Sequence, residues 1–247
     1  MNGRDGWSVA TWVAYWHFWQ WYHGYTVAGL ERLLAPGAKL IVGYHGRPLA
    51  YDMCMLTVAL YDRLGYLPHG VVHRGIETIP SLKTFTDALG FVTDDGAEIG
   101  EAIARGEHVV VTPGGGMEGC RSVLHRYEVS WGDRVGYVRL ARKYGLPIVP
   151  VGAAGADDGY IGLNDAEAVG RALGIPRRWA WLLWTGIGPL GLYPFSPPFP
   201  VRFRQRVGDP IDPWADDDGR AGEAAGLLRT HRRVVRAVQS LLDQGRR

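Results

Sequence analysis

Two short stretches carry residues whose types and spacing could do chemistry. In "VGYHGRPLAYDMCML" (residues 42–56), His45 ends one apolar run and Asp52 opens the next, with Gly46 and Pro48 between them. An imidazole changes charge near neutral pH, so it can take a proton from a hydroxyl while a carboxylate behind it fixes the tautomer. A satisfied structural histidine would leave the same pattern. In "VVVTPGGGMEGCRS" (residues 109–122), a β-type run delivers Pro113, then Gly114, Gly115 and Gly116, then Met117 and Glu118. Three successive glycines cost chain entropy, so the position requires positive φ or a close approach. Their N–H groups could hold an anion or a developing oxyanion. No Gly-Lys-Ser/Thr follows, which excludes a phosphate-binding P-loop. A plain structural turn after a strand is the alternative.

Other chemistry finds little support. The chain has no Gly-x-Ser-x-Gly elbow for a serine nucleophile. Cys120 reads as a small hydrophobe beside a sheet rather than a nucleophile. His69 and His73 have the spacing of helical metal ligands, but Pro68, Gly70 and two valines make that stretch a strand or loop, and no metal is expected.

The elements that must position these residues alternate along the chain. Strands are expected at 39–44, 70–73, 108–112, 148–152 and 201–207, with helices at 53–64, 81–89, 97–105, 134–144 and 221–242. Near-continuous Val/Ile runs with helices between them imply an α/β fold, a single domain whose mostly parallel sheet is covered by helices on both faces. Ligands bind such sheets at the carboxyl ends of the strands. His45 and the 113–116 turn both fall just past such ends, on one edge of the sheet.

The 247 residues balance 27 Lys and Arg against 25 Asp and Glu, and two cysteines suit a reducing, cytoplasmic setting. No basic tail or aromatic–basic motif points to nucleic acid. The aromatic start is unusual. Five of the ten tryptophans (Trp7, Trp12, Trp16, Trp19, Trp21) lie in the first 21 residues, and no charged residue occurs between Asp5 and Glu31. The segment has neither the layout of a secretory signal nor the aliphatic character of a spanning helix. Trp and Tyr favour the membrane–water interface, so residues 1–26 read as an aromatic membrane-interfacial helix and 27–247 as the α/β domain that carries the candidate site. A helix packed on the protein's own core is the competing reading. "RRWAWLLWTGIGPLGLYPFSPPFP" (177–200) reads as a second lipid-facing surface or as a hydrophobic lid.

Taken in order, the stretches resemble a family. The His–Asp pair, "PGGGMEGCRS", "WGDRVGYVRLARKYGLPIVPV" and "RQRVGDPID" are similar to blocks of the glycerolipid and lysophospholipid acyltransferase superfamily, nearest its diacylglycerol-acyltransferase-like branch. The resemblance runs from about Val27 to Asp212. It implies an O-acyltransferase in which His45 is the general base and Asp52 its acid. The base takes a proton from an acceptor hydroxyl, which attacks the thioester of acyl-CoA or of an acyl carrier protein. That thioester is a co-substrate, and no cofactor is implied. Gly114, Gly115 and Gly116 would shape the acceptor or oxyanion region, with Glu118 beside them. A peripheral position on the membrane and a lipid acceptor follow.

Two departures from the family refine this. Six residues separate His45 and Asp52 where four are usual, so the loop must fold back. The family's phosphate-reading arginines align with Met117 and with "LGFVTDDG", where Asp94 and Asp95 would repel phosphate. Their replacement favours a neutral glycerolipid or alcohol acceptor. Arg121 and Arg74 could substitute, which keeps a lysophospholipid, and hence phospholipid biosynthesis, open. A catalytically weak lipid-binding protein of the same fold and an acyl-CoA thioesterase are the other readings.

Overall fold

The computed structural model describes residues 6–72, 89, 91–93, 97–215 and 222–246. The expected helix over 81–89 lies, apart from Leu89, outside the described residues, as do His73, Arg74, Asp94 and Asp95.

The strands are β1 (Thr26–Ala28), β2 (Leu40–Gly43), β3 (His69–Val72), β4 (Val92–Thr93), β5 (Val109–Val111), β6 (Ile148–Ala154), β7 (Ile161–Gly162), β8 (Gly186–Gly188), β9 (Gly191–Leu192) and β10 (Arg204–Val207). The helices are α1 (Gly6–Tyr22), α2 (Glu31–Leu34), α3 (Tyr51–Leu64), α4 (Ala97–Ala104), α5 (Gly115–Gly119), α6 (Gly136–Tyr144), α7 (Ala166–Ala172), α8 (Arg177–Ala180) and α9 (Glu223–Gly245). Seven strands form one sheet in the order β1-β10-β6-β2-β5-β3-β4. All its pairings are parallel except β10 against β6. The α/β fold expected from the alternating runs is the one observed.

The two faces of β2 show how the sheet is covered. Leu40 and Val42 pack with Tyr137 and Val138 of α6 and with Val234 and Val238 of α9. Ile41, pointing the other way, packs with Leu33 of α2 and with Met53, Leu56 and Leu60 of α3. That period of two, repeated in a strand buried on both sides, is the parallel-sheet pattern. Gly43 lets α3 approach the end of β2, since a Cβ there would stand 2.3 Å from the Met53 sulfur.

Helix α1 lies across α3. Trp16 and Trp19 join Tyr51, Met55 and Val58 in a core cluster, while Trp7, Phe18 and Trp21 face outward. Its inner face is thus packed on the protein, as the competing reading expected, and its outer face is exposed and aromatic. No helix among the described residues is long and apolar enough to cross a membrane. The 177–200 region contributes α8 and part of a small antiparallel sheet, β7-β8-β9.

Candidate active site

Strand β2 ends at Gly43, and the chain then runs through Tyr44 and His45 into the 46–50 loop. That loop reverses direction with two non-glycine residues in left-handed backbone, Leu49 (φ 75°) and Ala50 (φ 47°), before α3 begins at Tyr51. Such residues cost roughly 1–2 kcal/mol each, so the tight reversal is imposed by its surroundings. It returns Asp52 to the start of the loop, where Oδ1 accepts the Gly46 N–H at 3.3 Å. Asp52 is fully buried and its Oδ2 has no hydrogen-bond partner among the described residues. The His45 ring is served instead by a carbonyl, with Nδ1 3.1 Å from the Gly46 oxygen. The sequence-expected pair is therefore brought to one loop but not joined by a hydrogen bond. A carbonyl only accepts, so Nδ1 carries the proton and Nε2 presents a lone pair. Burial holds the imidazole below its ordinary pKa, which keeps it neutral and able to act as a base.

The glycine turn lies alongside. Gly119 of α5 passes so close that a Cβ there would be 2.5 Å from the Gly46 carbonyl and 3.0 Å from His45 Nδ1. Glu118 is buried and accepts three N–H groups. Oε2 takes those of His45 (3.0 Å) and the Trp131 indole (3.1 Å), and Oε1 takes that of Ser130 (3.2 Å). Burial pushes its carboxyl up to about 8, against the pull of those donors. Of the three glycines, Gly114 leaves room for the Glu118 carboxyl group, Gly115 takes φ +61°, and both Gly115 and Gly116 face open space. Arg134 donates to the carbonyls of Pro113 (2.9 Å) and Gly114 (2.7 Å). The "WGDR" stretch thus fastens the turn from outside, through Trp131 and Arg134.

Arg121 is spent on structure. Its Nε donates to the Glu118 carbonyl, Nη1 to Glu128 O (3.0 Å) and Nη2 to His45 O (3.1 Å), and its guanidinium stacks 4.2 Å over the Tyr44 ring. Arg74, the other candidate, is outside the described residues. Sequence reasoning passed over Arg47 and Asp157. Asp157 is buried, accepts from the Tyr44 hydroxyl and from the Tyr127 N–H (2.6 Å), and lies 3.5 Å from Arg121 Nη1. Arg47, also buried, donates through Nε to the Asp157 carbonyl at 2.9 Å and through Nη1 to the Arg121 carbonyl. A cavity of about 250 Å³ opens beside α5, lined in part by Gly114, Met117, Glu118, Cys120 and Arg121. A larger hollow of about 490 Å³, between α2 and α3 and reaching Gln20 of α1, touches none of these residues. Burial raises the Cys120 thiol to about 12, which leaves no thiolate for nucleophilic attack near neutral pH.

This arrangement, a neutral histidine beyond a parallel strand beside a fastened glycine turn, can be compared with known proteins. No protein-family model matches the chain. It is 28% identical over 229 residues to a bovine protein named "DGAT1/2-independent enzyme synthesizing storage lipids", covering 92% of this chain and 61% of that protein. The human counterpart is equally similar, with 63% of it covered. An uncharacterized protein of Mycobacterium tuberculosis is 28% identical over 193 residues, 75% of this chain and 51% of that one. Against these curated relatives the chain spans about half to six tenths of their length. Among solved structures, the 1-acyl-sn-glycerophosphate acyltransferase PlsC from Thermotoga maritima superposes with a TM-score of 0.52 at 17% identity, over 94% of this chain and 78% of that one. The chain has the PlsC acyltransferase fold. The resemblance read from the sequence motifs therefore holds in overall architecture as well. Asp157 and Arg47 left no sequence signal, because Asp157 meets Tyr44, and Arg47 meets Asp157, across more than 100 residues of chain.

Proposed function

We propose that the protein is a membrane-peripheral O-acyltransferase. It moves a fatty acyl group from the thioester of acyl-CoA or an acyl carrier protein to a lipid hydroxyl, with His45 as general base. The observation that carries this reading is the His45 geometry: a proton held on Nδ1 by a carbonyl, and Nε2 with no hydrogen-bond partner among the described residues. The acceptor O–H would give its proton to Nε2 as its oxygen attacks the thioester carbonyl. The tetrahedral intermediate then expels the thiolate, which takes that proton back. Gly114, which lines the cavity beside α5, and Gly115 and Gly116, which have open space over them, are the glycines that would border the substrates.

The acceptor in this reading is uncharged, a neutral glycerolipid or a long-chain alcohol. A phosphate reader needs free guanidinium donors, and each nitrogen of Arg121 already serves a backbone carbonyl. The named activity of the mammalian relatives, storage-lipid synthesis, points to the same class of product.

The test is thiol release from palmitoyl-CoA by the wild type and His45→Ala, with diacylglycerol, a long-chain alcohol, lysophosphatidic acid or no acceptor. Release that needs a neutral acceptor, and falls at least about 100-fold in the variant, is the expected result. Release without acceptor would make the protein a thioesterase. A preference for lysophosphatidic acid would overturn the neutral-acceptor assignment.

A further inference from the structure

We infer that His45 is aimed through the peptide groups on either side of it, with Glu118 and Asp52 as positioning residues and the Gly46 carbonyl as the ring's own partner. The inference rests on His45 being the base, and it concerns what holds that base still. Two consecutive peptides are pinned. Ahead of the ring, the His45 N–H is held by Glu118 Oε2 at 3.0 Å. Behind it, the His45 carbonyl accepts from Arg121 Nη2 at 3.1 Å and the Gly46 N–H is held by Asp52 Oδ1 at 3.3 Å. The loop is also wedged, since a Cβ on Gly46 would stand 2.9 Å from both Ala156 Cβ and Asp52 Oδ1. With both peptides fixed, and the Gly46 oxygen confined by Gly119, whose Cβ would stand 2.5 Å from it, Nδ1–H keeps that oxygen as its partner and Nε2 is left for the proton of the acceptor hydroxyl.

The two carboxyl groups are used differently, which makes the inference testable. Glu118 employs both oxygens against three donors. A glutamine would set its NH2 against one of those N–H groups whichever way the amide turned. Asp52 employs Oδ1 alone, since among the described residues Oδ2 has no partner. An asparagine would keep the one bond that matters. Were Asp52 instead the acid that touches the imidazole, Asn would be the damaging change, because its NH2 cannot accept the ring proton.

The experiment compares Asp52→Asn, Asp52→Ala, Glu118→Gln and His45→Ala in acceptor-dependent thiol release across pH. Imidazole ¹⁵N signals of histidine-labelled protein report the His45 tautomer, and thermal melts confirm folding. Asp52→Asn is expected to keep turnover within about 10-fold, with the pH profile and the Nδ1–H tautomer unchanged. Asp52→Ala should lose clearly more, and Glu118→Gln about 100-fold, the size of a misplacement of about 1 Å. If folded Asp52→Asn loses as much as His45→Ala, or changes tautomer, the inference is overturned. Should Glu118→Gln fail to fold, the Asp52 pair still decides. Asn spared and Ala impaired supports the inference, and equal losses overturn it. Full turnover in His45→Ala would instead remove the base assignment, a failure told apart by its appearing in that variant.

Discussion

A carboxyl group buried beneath the His45 loop, with no cationic partner among the described residues, makes stability depend on pH. Burial pushes Asp52 up from its ordinary 3.8 to about 7. Between those values the unfolded chain has released a proton that the folded chain keeps. Stability therefore falls as pH rises through that window and is level above it. Three pKa units correspond to roughly 4 kcal/mol. Asp52→Asn removes the titrating group while retaining the Gly46 bond. The variant should melt several degrees above the wild type at pH 8 and close to it at pH 4. An offset of the same size at both values would mean that the Asp52 carboxyl is not held protonated. His45 itself was legible in the sequence, because a polar residue just past a Val/Ile run lands at the carboxyl end of a parallel strand. The partner of its ring was not. A backbone carbonyl one residue away has no signature in residue types, whereas a nearby aspartate does, so sequence reasoning assigns the ring to Asp52.

Each tryptophan of α1 has a different duty according to the face it occupies. Trp16 is 2% exposed against Tyr51, whereas Trp7 and Trp21 are 78% and 76% exposed with Phe18 between them. Trp16→Ala should cost about 3–5 kcal/mol of stability, as a large core deletion does. Replacing Trp7, Phe18 and Trp21 together by serine should leave the melting temperature nearly unchanged and strip the protein from phosphatidylcholine vesicles in a flotation assay. Undiminished flotation would show that α1 is not the membrane contact. Among the elements, the buried parallel strands were readable because their Val/Ile runs are near-continuous. The antiparallel turn of β10 against β6 was not, since pairing direction leaves no mark on residue type. The β7-β8-β9 sheet also escaped notice, because its strands are two or three residues long and built on glycine, within a region rich in Trp and Pro. The loop from His45 to Asp52 shows a middle case. Its extra length was visible, but the left-handed pair Leu49 and Ala50 that folds it back depends on the fit of α3 beneath β2.

For the whole molecule, charge and apolar surface give different accounts of how the proposed membrane contact would be made, and they can be separated. The formal net charge is only +2 over 247 residues, so long-range attraction to anionic lipid is weak. Exposed apolar side chains, by contrast, include two groups among the described residues. One is the outer face of α1, and the other includes Leu182, Leu190, Leu192 and Phe195 around the small sheet. The Tyr22 hydroxyl, at the end of α1, donates to the Pro198 carbonyl at 2.9 Å, which ties the helix to the segment that carries Phe195. An aromatic ring that leaves water removes about 150–250 Å² of surface, and burial of that kind does not weaken with salt. Ionic contacts do weaken, because the screening length falls from about 10 Å at 0.1 M to about 3 Å at 1 M. The bound fraction on neutral phosphatidylcholine vesicles should therefore change by less than about twofold between those salt concentrations, and adding anionic lipid should raise it only slightly. Binding that required anionic lipid and disappeared at 1 M salt would transfer the contact to arginines. The exposed Arg232 and Arg236 of α9 would then be the residues to replace.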